Sequence, residues 1–180
     1  MKNKPVLFIA QAAVIAALYA VLTILQNALL PGSASMAVQF RVAEVLTVLA
    51  IYTPAAIPGL TVGCVIANIS SVAELGTYDL IFGACASCLA ALTMYALRRV
   101  RLFGLPVLAA LMPAIFNGVI VGFEIDFFFI GNLHFDWADF LFQGGCVALG
   151  ELAVLMVLGL PFCFLIEKRK LDQKLNFTKH

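Results

Sequence analysis

The sequence predicts an all-α integral membrane protein, a bundle of six transmembrane helices. The chain of 180 residues is 63% hydrophobic and only 12% charged, which leaves too little polar surface to cover a water-soluble globule. Apolar runs of about 17 to 25 residues recur along the chain, and each is long enough to cross about 30 Å of hydrocarbon as a helix. Helices are expected because lipid offers no hydrogen-bond partners to an exposed backbone.

Turn residues and charges divide the apolar runs into six predicted spans. The first is interpreted as a retained span rather than a signal peptide, because further spans follow at once. A proline-rich hairpin at Thr53 and Pro54 is expected to join the second span to the third. Since no internal repeat or linker is seen, residues 1–180 are predicted to form one transmembrane domain. The predicted spans are Val6–Gln26, Val38–Thr53, Ala55–Ser71, Leu80–Leu97, Leu105–Phe123 and Asp139–Ile166.

The basic residues predict the orientation of these spans. Six spans place both termini on one side, and every Lys and Arg except Arg41 falls on that side or in the connection after the fourth span. The positive-inside rule therefore predicts cytoplasmic termini. The residues on this side are Lys2, Lys4, Arg98, Arg99, Arg101, Lys168, Arg169, Lys170, Lys174 and Lys179.

Acidic residues gather at the predicted outer loops and span ends. An acidic outer half favours a cationic or hydrogen-donating ligand. Binding to nucleic acid is not expected, because the net charge is only +1 and the sequence has no basic block that could bind along a phosphate backbone. The outer acids are Glu74, Asp79, Glu124, Asp126, Asp136 and Asp139.

Polar residues inside the spans are candidates for ligand binding, because an ionisable group near the bilayer centre costs roughly 2.5 to 3.5 kcal/mol. Glu151 lies near the middle of the sixth span and acts either as a ligand contact or as a structural carboxyl. On the fifth span Asn117 and Glu124 are seven residues apart and share one helix face. Pro113 is expected to kink this span. Asn117 then either faces a ligand cavity or forms a hydrogen bond between packed helices. Gln143 precedes two glycines that allow close approach of a ligand or a helix.

Two further patterns allow a structural and a functional interpretation. Arg41 and Glu44 are three residues apart, close enough for an ion pair that ties down the first outer loop. Ala12, Ala16 and Ala20 form a row of small side chains on the first span. Such a row permits close helix packing, either inside the chain or against a partner subunit. We predict that it forms the docking face for a partner.

The chain offers little for catalysis or metal binding. The five cysteines lie within apolar runs, where a thiol acts as a small hydrophobic group, and the one CxxC pair has no nearby His. The sequence contains no GxxxxGK[ST], HExxH or GxSxG motif. An enzyme is therefore not expected, and no cofactor or metal is predicted.

Four stretches of the sequence resemble, in order, the signature of the QueT family, the substrate-binding S components of energy-coupling factor (ECF) transporters. The resemblance covers nearly the whole chain, although Ala43 replaces an expected serine and Ala50 an expected proline. The stretches are QFRVAEVLTVLAIYTPAAIPGLTVGCVIAN from Gln39 to Asn68, DLIFGACASCLAAL from Asp79 to Leu92, NGVIVGFEI from Asn117 to Ile125, and GELAVLMVLGLPF from Gly150 to Phe162.

This resemblance implies a six-helix fold in a bacterial cell membrane that captures a queuosine precursor, a 7-deazaguanine. It implies as partners an ECF module of one transmembrane scaffold and two ATPase subunits. Aromatic residues of the fifth outer connection, Phe127, Phe128, Phe129 and Trp137, are expected to cover the flat ring. The predicted substrate-binding residues are Asn117, Glu124, Gln143, Glu151, Asp79, Arg41, Asn68 and Trp137.

Two other functions fit the sequence less well. A membrane scaffold would use its intramembrane polar residues only to hold helices together and would bind no small molecule. A self-sufficient secondary carrier would need a titrating group such as Glu151 and usually two related halves. The short chain without a repeat counts against the carrier.

Overall fold

The computed structural model describes residues 4–30, 40–69, 72, 77–102, 104–131 and 133–171. Helices form the regular structure of this part, apart from one isolated bridge between Leu102 and Leu105. The predicted all-α class is confirmed. The helices are α1 (Lys4–Leu29), a 3-10 helix (Val42–Ile51), α2 (Ala56–Ile69), α3 (Tyr78–Ala96), α4 (Val107–Ile130) and α5 (Trp137–Lys168).

Four of these helices, α1, α3, α4 and α5, are long and apolar enough to cross a membrane. The described chain is therefore a multi-pass membrane protein. The second and third predicted spans coincide with shorter helices than expected. The 3-10 helix has 10 residues and α2 has 14, so that each is about 20 Å long and shorter than the hydrocarbon layer.

The two long helices of the C-terminal half are interrupted. In α4 a first turn ends at Leu111, and the helix resumes at Met112 with Pro113 in its first turn. Its last turn is a π-helix at Ile125–Ile130, and a second π-helix at Leu155–Gly159 divides α5. Such π segments break the regular hydrogen-bond ladder and are frequent at functional sites.

The helices pack in chain order around the 3-10 helix. The α-helices α1 to α5 each pack against the next along the chain. The 3-10 helix contacts α1, α2, α3 and α5, and eight of its ten residues are buried. This central position explains why apolar side chains occur on all sides of this helix rather than on one face.

Small residues set the two closest helix contacts. A Cβ added at Gly63 of α2 would lie 2.9 Å from the carbonyl oxygen of Ala16, and one added at Gly122 of α4 would lie 2.5 Å from the Cα of Gly144. Ala16 and Ala20 are buried in this packing, and Ala12 is half-buried. The alanine row therefore packs against α2, the internal alternative that the sequence left open. Its predicted contact with a partner subunit stays a prediction.

Candidate functional site

Polar side chains from every helix of the bundle are buried together, and we call this set the polar cluster. The helices are predominantly apolar, so buried ionisable groups are the costly positions of the fold. Each of the eight members is at least nine-tenths buried. The polar cluster consists of Tyr19 on α1, Arg41 and Glu44 at the start of the 3-10 helix, Asn68 on α2, Asp79 on α3, Asn117 and Glu124 on α4, and Glu151 on α5.

Arg41 is the cation of the polar cluster. Its guanidinium lies 3.8 Å from the carboxylate of Asp79, and both side chains are 7% exposed. Asn68 donates a hydrogen bond of 3.0 Å to the backbone carbonyl of Asp79. The ion pair therefore joins two helices, whereas the sequence predicted a local pair with Glu44. Arg41 can bridge helices because it precedes the first turn of the 3-10 helix in an extended conformation.

Two further hydrogen bonds hold carboxyl groups in place. The Tyr19 hydroxyl donates to Glu44 across the contact between α1 and the 3-10 helix. The Asn117 amide donates to Oε1 of Glu151 at 3.0 Å, which joins α4 to α5. Asn117 and Glu151 were each predicted to contact a ligand or to hold helices together, and the structure joins the two side chains by this hydrogen bond.

The polar cluster holds more acceptors than the described chain can satisfy. Five carboxylate oxygens are buried without a hydrogen-bond donor among the described residues: Oε2 of Glu44, Oδ2 of Asp79, both oxygens of Glu124, and Oε2 of Glu151. Arg41 lies within electrostatic range of all four acids. One guanidinium facing four carboxyl groups leaves the cluster able to accept hydrogen bonds and positive charge from a ligand.

Two of the predicted binding residues do not lie in the polar cluster. Gln143 is half-buried on α5, and its side chain makes no hydrogen bond to the described residues. Trp137 is 70% exposed at the start of α5, where its ring contacts Phe135 and Phe140. An aromatic side chain at a helix end is typical of the membrane–water interface, which accounts for this exposure.

The aromatic residues expected to form a lid belong to a larger set beside the polar cluster. The Phe128 ring stacks on Tyr78 at 4.1 Å, and the Phe127 ring stacks on Phe123 at 5.4 Å. These rings join the start of α3 to the end of α4. Tyr78 directly precedes Asp79, and Phe123 directly precedes Glu124, so the aromatic set lies next to two acids of the polar cluster. Of the predicted lid residues, Phe129 is 39% exposed. Glu74 lies outside the described residues.

Three residues contribute to the structure in ways that the sequence did not predict. Tyr19 shares the buried face of Ala16 and Ala20 on α1, and no predicted role fell on it. Glu44 was assigned only to a local ion pair. Asp126 was counted among the outer acids, but it is fully buried and accepts a hydrogen bond of 3.2 Å from the backbone N–H of Asp136. That bond fastens the connection between α4 and α5.

The pattern of apolar helices around buried polar groups agrees with a comparison to known families. The model of the QueT transporter family matches residues 9–168, nearly the whole chain. The chain belongs to the QueT transporter family. Neither a curated protein nor a solved structure matches it significantly. The QueT family, together with the four apolar helices, makes this chain a multi-pass membrane protein with a role in transport.

Proposed function

We propose that this QueT-family chain is the substrate-binding S component of an ECF importer and captures a 7-deazaguanine queuosine precursor from outside. The observation that supports this most directly is the set of buried carboxylate oxygens without donors in the polar cluster. A buried acceptor left unpaired costs about 1 to 3 kcal/mol. A ligand rich in N–H donors would remove that cost on binding.

The chemistry of a 7-deazaguanine matches the polar cluster. Its pairing edge presents two neighbouring N–H donors, which a single carboxylate can accept side by side. Glu151 or Glu124 is the proposed acceptor, and both keep free acceptor oxygens. The O6 acceptor of the ring needs a hydrogen-bond donor. Asn117 is the proposed donor, because its amide lies beside Glu151 and has a second N–H besides the one that Glu151 accepts. Gln143 remains the other candidate for this role.

A positively charged substituent on the ligand would find its counter-ion in the same cluster. Asp79 and Glu124 lie within electrostatic range of each other, and among the described residues Arg41 is the cation that acts on both acids. We therefore propose that an aminomethyl-bearing precursor or queuine points its cation at these two acids. The stacked rings of Phe127, Phe128 and their neighbours would then cover the flat base.

Transport in this proposal requires partners. The sequence contains no phosphate-binding GxxxxGK[ST] loop, so ATP hydrolysis would come from the two ATPase subunits of an ECF module, coupled through its transmembrane scaffold. The chain itself would bind ligand without ATP. Both termini would lie in the cytoplasm of a bacterial cell, because the basic residues cluster at that end.

Mass spectrometry of the detergent-extracted protein tests the ligand class, because a tightly held molecule copurifies. We expect a 7-deazaguanine to be released on denaturation and to rebind saturably in titration calorimetry without nucleotide. Liposomes that contain the chain alone should show no concentrative uptake, and adding the ECF module with ATP should restore it. Ion-driven uptake by the chain alone would establish a secondary carrier, and absence of any saturable ligand would favour a scaffold.

A further inference from the structure

A groove on the outside of the bundle, between α1 and the end of α5, is separate from the polar cluster. It has a volume of about 390 Å³ and its lining is almost wholly apolar. Leu7, Val14 and Leu18 form its α1 side, and Phe162 and Ile166 form its α5 side. Val14 is 59% exposed and Leu18 is 48% exposed, so that the groove opens to the surroundings of the bundle.

The length of the groove corresponds to one leaflet of a bilayer. Leu7 and Leu18 are eleven residues apart on α1, which is about 16 Å along the helix axis. The hydrocarbon core of a bilayer is about 30 Å thick, and half of it is about 15 Å. A groove of this length would extend from one membrane surface to about the middle of the bilayer.

Basic residues flank the surface end of the groove. Lys4 is exposed and precedes Leu7 by one helical turn. At the other wall, Lys170 adopts a positive φ of 51°, and its N–H donates to the carbonyl of Glu167 at 3.1 Å. This left-handed cap turns the chain, and the next residue, Leu171, lies in the groove lining. Two exposed lysines thus each lie within one helical turn of a residue that lines the groove.

We propose that this groove binds one acyl chain of an anionic phospholipid, whose phosphate pairs with Lys4 and Lys170. An acyl chain is narrow, flexible and apolar, and its length in one leaflet matches the groove. The charge at the surface end complements an anionic headgroup and would not favour a zwitterionic one, because basic pockets between helices on the cytoplasmic side typically bind acidic lipids. This site is independent of the ligand in the polar cluster.

Tryptophan fluorescence in vesicles tests the proposal on the full-length chain. Trp137 is the single tryptophan and starts α5, far along the chain from the groove. In a Trp137→Phe background, Val14→Trp places a reporter at an exposed position of the groove lining. The protein is reconstituted in phosphatidylcholine with increasing fractions of brominated phosphatidylglycerol or brominated phosphatidylcholine. We expect the brominated phosphatidylglycerol to quench at a clearly lower mole fraction.

Charge-neutral variants identify the headgroup contacts. Lys4→Gln and Lys170→Gln should each lower the preference for phosphatidylglycerol about fivefold, because a basic residue near the surface contributes about 1 kcal/mol. Arg99→Gln removes the same charge from the α3–α4 connection, outside the groove lining, and should leave the preference unchanged. Leu18→Trp provides a second reporter if the first disturbs folding.

Three results would overturn the proposal. Equal quenching by the two brominated lipids would show an ordinary lipid-facing surface. Quenching by neither would show that protein covers the groove, as a partner helix or a second copy of the chain would. An equal loss of preference in Arg99→Gln and in the two lysine variants would show a general surface attraction without a defined site.

Discussion

Glu124 and Glu167 are carboxylates near opposite ends of the bundle, and they differ in burial and in the number of hydrogen bonds that they accept. Oε1 of Glu167 accepts a hydrogen bond of 2.6 Å from Arg101 and one of 3.0 Å from the Tyr52 hydroxyl. Although partial burial acts to lower it, the hydrogen bond and charge of Glu167 hold the pKa of Arg101 above its ordinary value. Glu124 is 1% exposed, and neither of its oxygens has a hydrogen-bond donor among the described residues.

This difference supports the proposal that Glu124, unlike Glu167, binds a ligand. At the end of the bundle that holds Glu167, the chain supplies the donors itself, and the side chain of Glu167 also stays 35% exposed to its surroundings. In the polar cluster the group is more deeply buried and has fewer donors, which is the opposite of what stability alone favours. Such a carboxylate is expected where binding, rather than folding, determines the residue.

The largest expected effect is the loss of ligand affinity in Glu124→Gln. The substitution keeps the shape of the side chain but turns one acceptor into a donor that faces a ligand donor. The loss should be about 1 to 3 kcal/mol for each hydrogen bond, or about 5- to 150-fold in Kd. Glu151→Gln should act in the same direction. Titration calorimetry with a 7-deazaguanine measures both, and the melting temperature should fall little.

Asp139→Asn is the matched control for these variants. Asp139 is an exposed acid at the start of α5, so its neutralisation changes the outer charge without entering the polar cluster. Its Kd should equal that of the wild type. Wild-type affinity in Glu124→Gln and Glu151→Gln, accompanied by a lower melting temperature, would make both groups structural and remove them from the binding site.

A second comparison concerns two adjacent glycines on α5. A Cβ at Gly144 would lie 2.5 Å from the carbonyl oxygen of Gly118, whereas a Cβ at Gly145 meets nothing within 4 Å. Gly144→Ala should therefore push α4 and α5 apart and cost about 1 to 3 kcal/mol, as overpacking does elsewhere. Gly145→Ala should cost nothing, because alanine also favours the helix. Thermal melts in detergent measure the difference, and equal losses would contradict the close α4–α5 contact.

The sequence allowed the helical class and four of the long spans to be predicted, because apolar length alone decides them. It could not reveal that the segment after Arg41 winds as a 3-10 helix, since that depends on how it is enclosed by α1, α3 and α5. The alanine row is visible in the sequence, but the helix that packs against it is not. Only the structure shows that Gly59 and Gly63 of α2 lie against its backbone.

The same limit applies to the site. Asn117, Glu124 and Glu151 were found because polar residues are conspicuous within apolar runs, and all three are buried in the polar cluster. The hydrogen bond from Tyr19 to Glu44 joins residues 25 apart in the chain and leaves no local pattern. For the same reason, the sequence predicted that Arg41 pairs with Glu44, the nearest acid in the chain, whereas its partner in the structure is Asp79 on α3.

The smallest expected effect belongs to the end of the bundle that holds Glu167. Glu167→Gln removes the charge that pairs with Arg101 but keeps an acceptor for Tyr52. Because partly exposed ion pairs contribute about 0 to 1 kcal/mol, the melting temperature should fall slightly and the Kd for ligand should stay at the wild-type value. Arg101→Gln should lower stability by a similar amount, and the double variant by no more than either alone, since both substitutions break one interaction. Titration calorimetry and thermal melts on the three variants measure these quantities. A changed Kd in Glu167→Gln would contradict the separation of structural and ligand-accepting carboxylates, because it would couple the C-terminal end of α5 to the polar cluster.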